Sequence, residues 1–286
     1  RAFIQSGALL NAIQPDQATA SAEALLQKLG MTPAQVNDLQ SVPVDRLMLA
    51  ARDVPAVQAS MLTPFGGPVI DGRAIMGHPF DPTGPAVSKH VPVVIGTTKD
   101  EFTILLAALD PSSARLEEAD LQARAGAMLG AQRGPAAIDL YKKLYPNTAP
   151  NQRWARLMTD SRMWGDSIRL AERKHAQQGA PVYMYRFDFT SPAFDGRLGA
   201  PHTIEIPFVF RTLDIAKPLI GASREVSALS QHVSTAWTNF ARTGNPSQRG
   251  LEWPAYDPTK RATMMFDVAT KVVNDPDAEV RRFWVA

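Results

Sequence analysis

The stretch VPVVIGTTKDE, residues 91–101, decides the fold class of this chain. Between Val91 and Ile95 no polar residue separates the aliphatic ones. Such a run is typical of a strand that is covered on both faces, as the strands of parallel sheets are. We expect Gly96 to end this strand and the polar residues 97–101 to form the loop that follows it.

Three other stretches predict further strands. VYMYRFDF, residues 182–189, is rich in aromatic and β-branched residues, and Thr263–Phe266 predicts a last strand. The chain opens with RAFIQSG, in which the apolar residues 2–4 predict a buried strand and Ser6 with Gly7 predicts a turn.

Helical periodicity is found between these strands. Apolar residues recur at three- and four-residue steps within residues 116–178, and an amphipathic helix is predicted over 224–242. Ser223 is its expected N-cap and Gly244 its expected end. Strands that alternate with helices, with a helical block between two of them, favour an α/β sheet that carries an all-helical elaboration.

The composition excludes several kinds of function. The 286 residues carry a formal net charge of +2, and their Lys and Arg residues form no basic stripe that would bind nucleic acid. No apolar segment reaches the roughly 18–20 residues that span a bilayer. The absence of cysteine rules out disulfides, thiolate metal sites and a cysteine nucleophile in these residues, and it fits a reducing compartment.

The first residues of the chain suggest that it is part of a longer protein. It begins at Arg1, without methionine, and enters a core-like strand at once, whereas natural termini are usually polar and frayed. The alternative, a trimmed start in front of an ordinary edge strand, stays open.

Among five histidines, His202 is the candidate for chemistry. It follows the small residues 199–201 and precedes a predicted helix, so a loop could hold its imidazole beside a strand end with room for a substrate. Glu101 is the corresponding acid, because it follows the buried strand where ligands of open α/β sheets gather. The residues alone leave simpler roles open: a local hydrogen bond for His202, and solvation or helix capping for Glu101.

The other four histidines are weaker candidates for a catalytic role. We expect His175 to be exposed at a helix end and His232 to pack beside the apolar stripe of its helix, while His78 and His90 have no evident partner. No H-E-x-x-H, no nucleotide-binding glycine motif and no dense His/Asp cluster occurs, so no metal and no cofactor is predicted. The nucleophile-elbow motif G-x-S-x-G is also absent.

Several segments together resemble the type-B carboxylesterases, a family that includes bacterial para-nitrobenzyl esterases and animal cholinesterases. The resemblance covers nearly the whole chain, in order. It is carried by RAFIQSG (1–7), PVIDG (68–72), VPVVIGTTKDE (91–101), GAPHTIEIPFVF (199–210), WTNFARTGNPS (237–247) and WPAYDP (253–258).

This resemblance implies an α/β-hydrolase fold, of which residues 1–286 would be the C-terminal portion of one domain: part of a mostly parallel sheet, with a helical insertion at about 115–180. It implies that Glu101 is the acid and His202 the base of a Ser-His-acid triad, and that the Ser6 hydroxyl contacts the acid. The serine and the oxyanion-hole glycines would then lie upstream of Arg1. Phe102 departs from the family pattern, which usually has glycine after the acid.

The implied activity is hydrolysis of carboxylic esters through an acyl-enzyme, with a small ester as substrate and a complementary N-terminal segment of the same enzyme as partner. Because secreted animal members carry disulfides, a cysteine-free chain fits a bacterial, cytoplasmic member better than a secreted one. The alternative is a non-catalytic, cholinesterase-like binding or adhesion module, although such a module would not need both Glu101 and His202.

Overall fold

The computed structural model describes residues 1–52, 54 and 67–285. It divides the chain into two compact units, Arg1–Ala8 with Thr83–Ala286, and Leu9–Pro82. In the smaller unit, helix α1 (Pro15–Leu29) is followed by a 3₁₀ segment (Pro33–Ser41) and helix α2 (Val44–Arg52).

The larger unit contains a five-stranded sheet in the order β1–β2–β3–β4–β5. The strands are β1 (Ala2–Gln5), β2 (Val93–Thr98), β3 (Val182–Phe187), β4 (Ala262–Phe266) and β5 (Lys271–Asn274). The first four are parallel, and β5 runs antiparallel to β4. Parallel neighbours bring their carboxyl ends to one edge of the sheet, where the loops after β1, β2 and β3 meet.

Helices connect these strands. Between β2 and β3 lie α3 (Phe102–Leu109), α4 (Glu118–Leu144), α5 (Pro150–Thr159), a π-helical turn (Asp160–Trp164) and α6 (Gly165–Ala176). After β3 come α7 (Ile206–Phe210), α8 (Leu213–Ile220) and α9 (Arg224–Thr243), and α10 (Ala278–Val285) follows β5. None of the helices in residues 1–52 and 67–285 is long and apolar enough to cross a membrane.

Helix α9 begins and ends as its sequence predicts. The Ser223 hydroxyl accepts a hydrogen bond from the Val226 N–H, 3.3 Å away, and Gly244 ends the helix in the left-handed conformation with φ 83°. Its predicted apolar stripe is buried in the main core, where Trp237 stacks on Phe3 and makes edge contacts with Tyr185.

Strand β2 confirms the prediction that it is covered on both faces, since all six of its residues are buried. The expectation that Gly96 ends it is wrong, because the strand continues through Gly96 to Thr98. Gly96 lies opposite Tyr185 of β3, and a Cβ at Gly96 would lie 2.1 Å from the Tyr185 carbonyl oxygen. Close approach of two strands therefore requires this glycine.

Strand β1 also differs from expectation. Its four residues are half-buried rather than buried, because within the described residues it pairs with β2 alone. β5 was not predicted, and its short sequence KVVN is exposed or half-buried along its length.

A buried ionic network joins distant parts of the larger unit. Arg156 of α5 donates from Nε to Asp160 over 3.0 Å and from an Nη to Asp277 over 3.0 Å. Its other Nη donates to the carbonyl of Lys99, 2.6 Å away, and Asp160 accepts from the Tyr141 hydroxyl at 2.7 Å. These contacts connect α4, α5, the turn after β2 and the residue before α10.

Candidate active site

The turn after β2 places Glu101 at the carboxyl edge of the sheet. The residue is fully buried, and its carboxylate meets three donors. Oε1 accepts from the Thr98 N–H over 2.7 Å and from the Ser6 hydroxyl, while Oε2 lies 2.5 Å from Nδ1 of His202. Glu101 makes no capping hydrogen bond to α3. The structure therefore excludes both simpler roles, a solvated carboxylate and a helix cap.

Ser6 reaches Glu101 from the turn after β1. Its backbone has φ 59°, in the left-handed region, and its N–H donates to the carbonyl of Gly96 over 2.9 Å. The side chain is buried, and its hydroxyl donates to Glu101. The predicted contact between the serine and the acid is therefore present.

His202 lies in the loop between β3 and α7. Its side chain is 29% exposed, and the ring uses Nδ1 for the contact with Glu101. Nε2 forms no hydrogen bond with a described residue. The hydrogen bond to Glu101 raises the pKa of His202 above its ordinary value, against partial burial, which lowers it. The ring is thus oriented through one nitrogen while the other can accept a proton.

Two hydrogen bonds join the turn that contains Glu101 to the loop that contains His202. The Asp100 N–H donates to the Ala200 carbonyl, and the Ala200 N–H donates to Asp100 Oδ2, both over 2.9 Å. Gly199 lies next to these two hydrogen bonds and has φ +61°. A Cβ at this position would lie 2.2 Å from Asp100 Oδ2. The small residue thus makes room for Asp100, a partner that the sequence did not single out.

Phe102 occupies the position where the resemblance implies glycine. It is buried at the start of α3, and its N–H lies 3.2 Å from the Thr159 hydroxyl oxygen. Because its φ is not positive, this backbone does not need a glycine.

A second buried acid lies near the pair and was missed by sequence reasoning. Glu205 Oε1 accepts from the Gln5 side-chain amide over 2.9 Å. The Trp237 indole N–H donates to the amide oxygen of Gln5 over 3.1 Å. Glu205 Oε2 is buried without a partner among the described residues. Burial, and next the charge of Glu101, raise the pKa of Glu205. The spacing of three residues from His202 was the only available signal.

The remaining histidines lie elsewhere. His175 and His90 are exposed, and so is His232, so its predicted packing role is wrong: it lies on the outer side of α9. His78 has a partner that the sequence did not reveal, because its Nδ1 lies 3.2 Å from the Ala12 N–H. Nowhere in the described part of the chain do three or more acidic or histidine side chains form a group that could hold a metal ion.

The mostly parallel sheet with flanking helices, and the acid and histidine at its carboxyl edge, define the class: this is an α/β-hydrolase fold. The model of the carboxylesterase family matches residues 1–284, and the chain belongs to that family.

Individual relatives agree with this assignment. The chain is 31% identical over 287 residues to the para-nitrobenzyl esterase of Bacillus subtilis (strain 168), covering 99% of this chain and 56% of that protein. It is 32% identical over 297 residues to the phenmedipham hydrolase of Pseudarthrobacter oxydans, covering 99% and 55%. The crystal structure of the Geobacillus stearothermophilus carboxylesterase EST55 at pH 6.2 superposes with a TM-score of 0.79 at 34% identity, covering 99% of this chain and 58% of that one. The chain thus spans little more than half the length of these relatives.

Proposed function

We propose that this chain supplies the acid and the base of a serine carboxylesterase, with Glu101 as the acid and His202 as the base. The observation that carries the proposal is the 2.5 Å contact between His202 Nδ1 and a fully buried carboxylate oxygen of Glu101. A buried acid that orients an accessible imidazole is the arrangement by which hydrolases activate a hydroxyl nucleophile.

The reaction would proceed in two halves. A serine hydroxyl attacks the ester carbonyl carbon while His202 Nε2 accepts the hydroxyl proton. The imidazolium then returns that proton to the leaving alcohol, which leaves an acyl-enzyme. Water then attacks the acyl carbonyl carbon while His202 Nε2 accepts its proton, and the imidazolium returns that proton to the serine oxygen as the carboxylic acid leaves. Glu101 accepts from Nδ1–H throughout and stabilises the cationic ring, and Ser6 fixes the second carboxylate oxygen.

We further propose that the serine and the oxyanion hole lie upstream of Arg1. The absence of G-x-S-x-G from these residues and the coverage of little more than half of each relative support this. On this proposal, residues 1–286 form the C-terminal portion of one α/β-hydrolase domain, with a helical insertion at about 115–180. The complementary N-terminal segment then covers the free edge of β1, which a folded protein rarely leaves exposed.

The substrate class proposed is small carboxylic esters, in line with the names of the relatives. The test uses the full-length protein and a para-nitrophenyl ester. His202→Ala should lower kcat by about 10⁴–10⁶-fold, because the members of a triad act as a unit. His232→Ala, a change at an exposed histidine, serves as the control and should leave kcat as it was. Near-parental hydrolysis by His202→Ala would remove His202 from the mechanism.

A fluorophosphonate probe separates this proposal from a non-catalytic binding module. Labelling of a serine in the full-length protein, lost in His202→Ala, is the expected result. A full-length protein that carries no serine at the nucleophile elbow and takes up no label would instead be a binding module.

A further inference from the structure

Two adjoining cavities lie beside the Glu101 turn, and neither is lined by Glu101 or His202. The first, which we call the cationic pocket, has a volume of about 180 Å³ and includes Lys99, Asp100, Arg153 and Arg156 in its lining. The second, the apolar groove, has a volume of about 300 Å³, at the lower end of the range of small-molecule sites. Both cavities are lined by Thr103, Gln152 and Arg197, so the two adjoin.

The apolar groove has a buried floor and open walls. Phe102 and Leu106 of α3 form the floor and are 1% and 4% exposed. Ala107 and Phe194 line it as exposed walls, and Phe194 is 67% exposed. Polar side chains line other parts of the groove, and an unbranched hydrocarbon chain that lies over its apolar floor gains free energy by leaving water.

Charge in the cationic pocket is only partly compensated. The charge of Arg156 is balanced by Asp160 and Asp277, and Arg153 pairs with Glu118 through one Nη at 2.6 Å. Lys99 forms no ion pair with a described residue. Asp100 is the one acidic residue in the lining, and its Oδ2 already accepts from the Ala200 N–H.

Two cations of the pocket, Lys99 and Arg197, lack a close acidic partner among the described residues, and they point to an anionic ligand. Arg197 contacts Asp195 only at 3.9 Å, and both side chains are largely exposed, so that pair is weak. Arg153 adds positive charge to the lining, where one of its Nη atoms already pairs with Glu118. A carboxylate among these cations would form charge-assisted hydrogen bonds.

We propose that the cationic pocket and the apolar groove together bind a medium-chain fatty acid, with its carboxylate near Lys99 and Arg153 and its alkyl chain over Phe102 and Leu106. A monoanion fits better than a phosphate dianion because Asp100 stays in the lining. The proposal does not rest on the esterase activity, since the site is built from residues outside the Glu101–His202 pair.

Calorimetric titration with decanoate tests the site, with decanol and acetate as probes of the chain alone and the head group alone. Decanoate should bind at least about tenfold more tightly than either, because only it uses both halves of the site. Binding of decanol as tight as that of decanoate would overturn the anionic half of the proposal. Absence of decanoate binding would overturn all of it.

Paired variants locate the binding. Lys99→Gln should weaken decanoate binding about tenfold, the loss expected for one charge-assisted contact. Lys217→Gln, at an exposed position of α8, is the control and should not weaken it. Ala107→Trp fills the groove and should abolish binding, while Ala108→Trp, at the next exposed position and outside the lining, should not. Unchanged binding in both Lys99→Gln and Ala107→Trp would place decanoate elsewhere and end the proposal.

Discussion

His202 has a raised pKa chiefly because its Nδ1 hydrogen-bonds to Glu101. Replacing that carboxylate by an amide removes the charge that stabilises the imidazolium, so Glu101→Gln should lower the pKa of His202. Titration of the His202 ring protons by NMR measures the shift. An unchanged His202 pKa in this variant would show that Glu101 does not act on the ring.

The same substitution has a kinetic consequence under the proposed function. A protonated His202 cannot accept the serine proton, so activity falls as pH drops through its pKa. Glu101→Gln should therefore move the acidic limb of the kcat/KM profile to lower pH. It should also reduce kcat by about 10³–10⁴-fold, because the ring loses its fixed tautomer. A full-length variant with an unshifted limb and parental kcat would contradict the role of Glu101.

Glu205 should weaken the fold as pH rises. Its folded-state pKa is raised by burial and by Glu101, so the stability of its neutral form is present below the unfolded pKa and is lost as pH rises through the folded pKa. Glu205→Gln cannot ionise and keeps an oxygen to accept from Gln5. Its urea midpoint should exceed the parental one at pH 7, and the difference should shrink at pH 4. A constant difference across this range would refute the assignment.

For individual residues, the sequence predicted which positions are candidates for catalysis better than it predicted which side chains contact them. Glu101 and His202 were found because a strand end and a small-residue loop mark them, and the family resemblance paired them. Glu205 looks like any helix-proximal acid, and its hydrogen-bond partner Gln5 is 200 residues away in sequence. No local pattern reports such a contact.

At the scale of secondary structure elements, the pairing of β2 with β3 depends on Gly96. A methyl group at this position would collide with the Tyr185 carbonyl and ring, and backbone atoms of a central sheet cannot move aside cheaply. Gly96→Ala should destabilise the protein by about 3 kcal/mol or more in urea unfolding. Gly77→Ala, where a Cβ would meet nothing within 4 Å, is the matched control. A loss below about 1 kcal/mol would mean that the strands separate without cost.

Periodicity predicted the long elements and missed the ends of the short ones. The aliphatic run before Gly96 and the stripe of α9 were read correctly because burial repeats along them. Gly96 was misread because glycine marks both strand ends and close strand contacts, and only the position of Tyr185 distinguishes the two. β5 was missed because four half-exposed residues carry too weak a pattern.

At the scale of the whole molecule, the Arg156 network joins segments far apart in the chain. Asp160 is fully buried and forms an ion pair with Arg156. Without its negative charge, the positive charge of buried Arg156 would be less well balanced. Asp160→Asn should therefore cost about 3–5 kcal/mol in unfolding free energy. Asp195→Asn, at a side chain that is 96% exposed, should stay within about 0.5 kcal/mol of the parent. Equal stability of the two variants would show that the network contributes nothing net.

The reciprocal hydrogen bonds between Asp100 and Ala200, with Gly199 pressed against Asp100, have a practical consequence for protein engineering. A mutant library that diversifies residues 99–103 alone will lose most members to steric conflict with a loop it leaves fixed, and the converse library over 198–202 will fail in the same way. Productive variants should be recovered when both stretches are randomised together, because a change in one can then be matched by a change in the other.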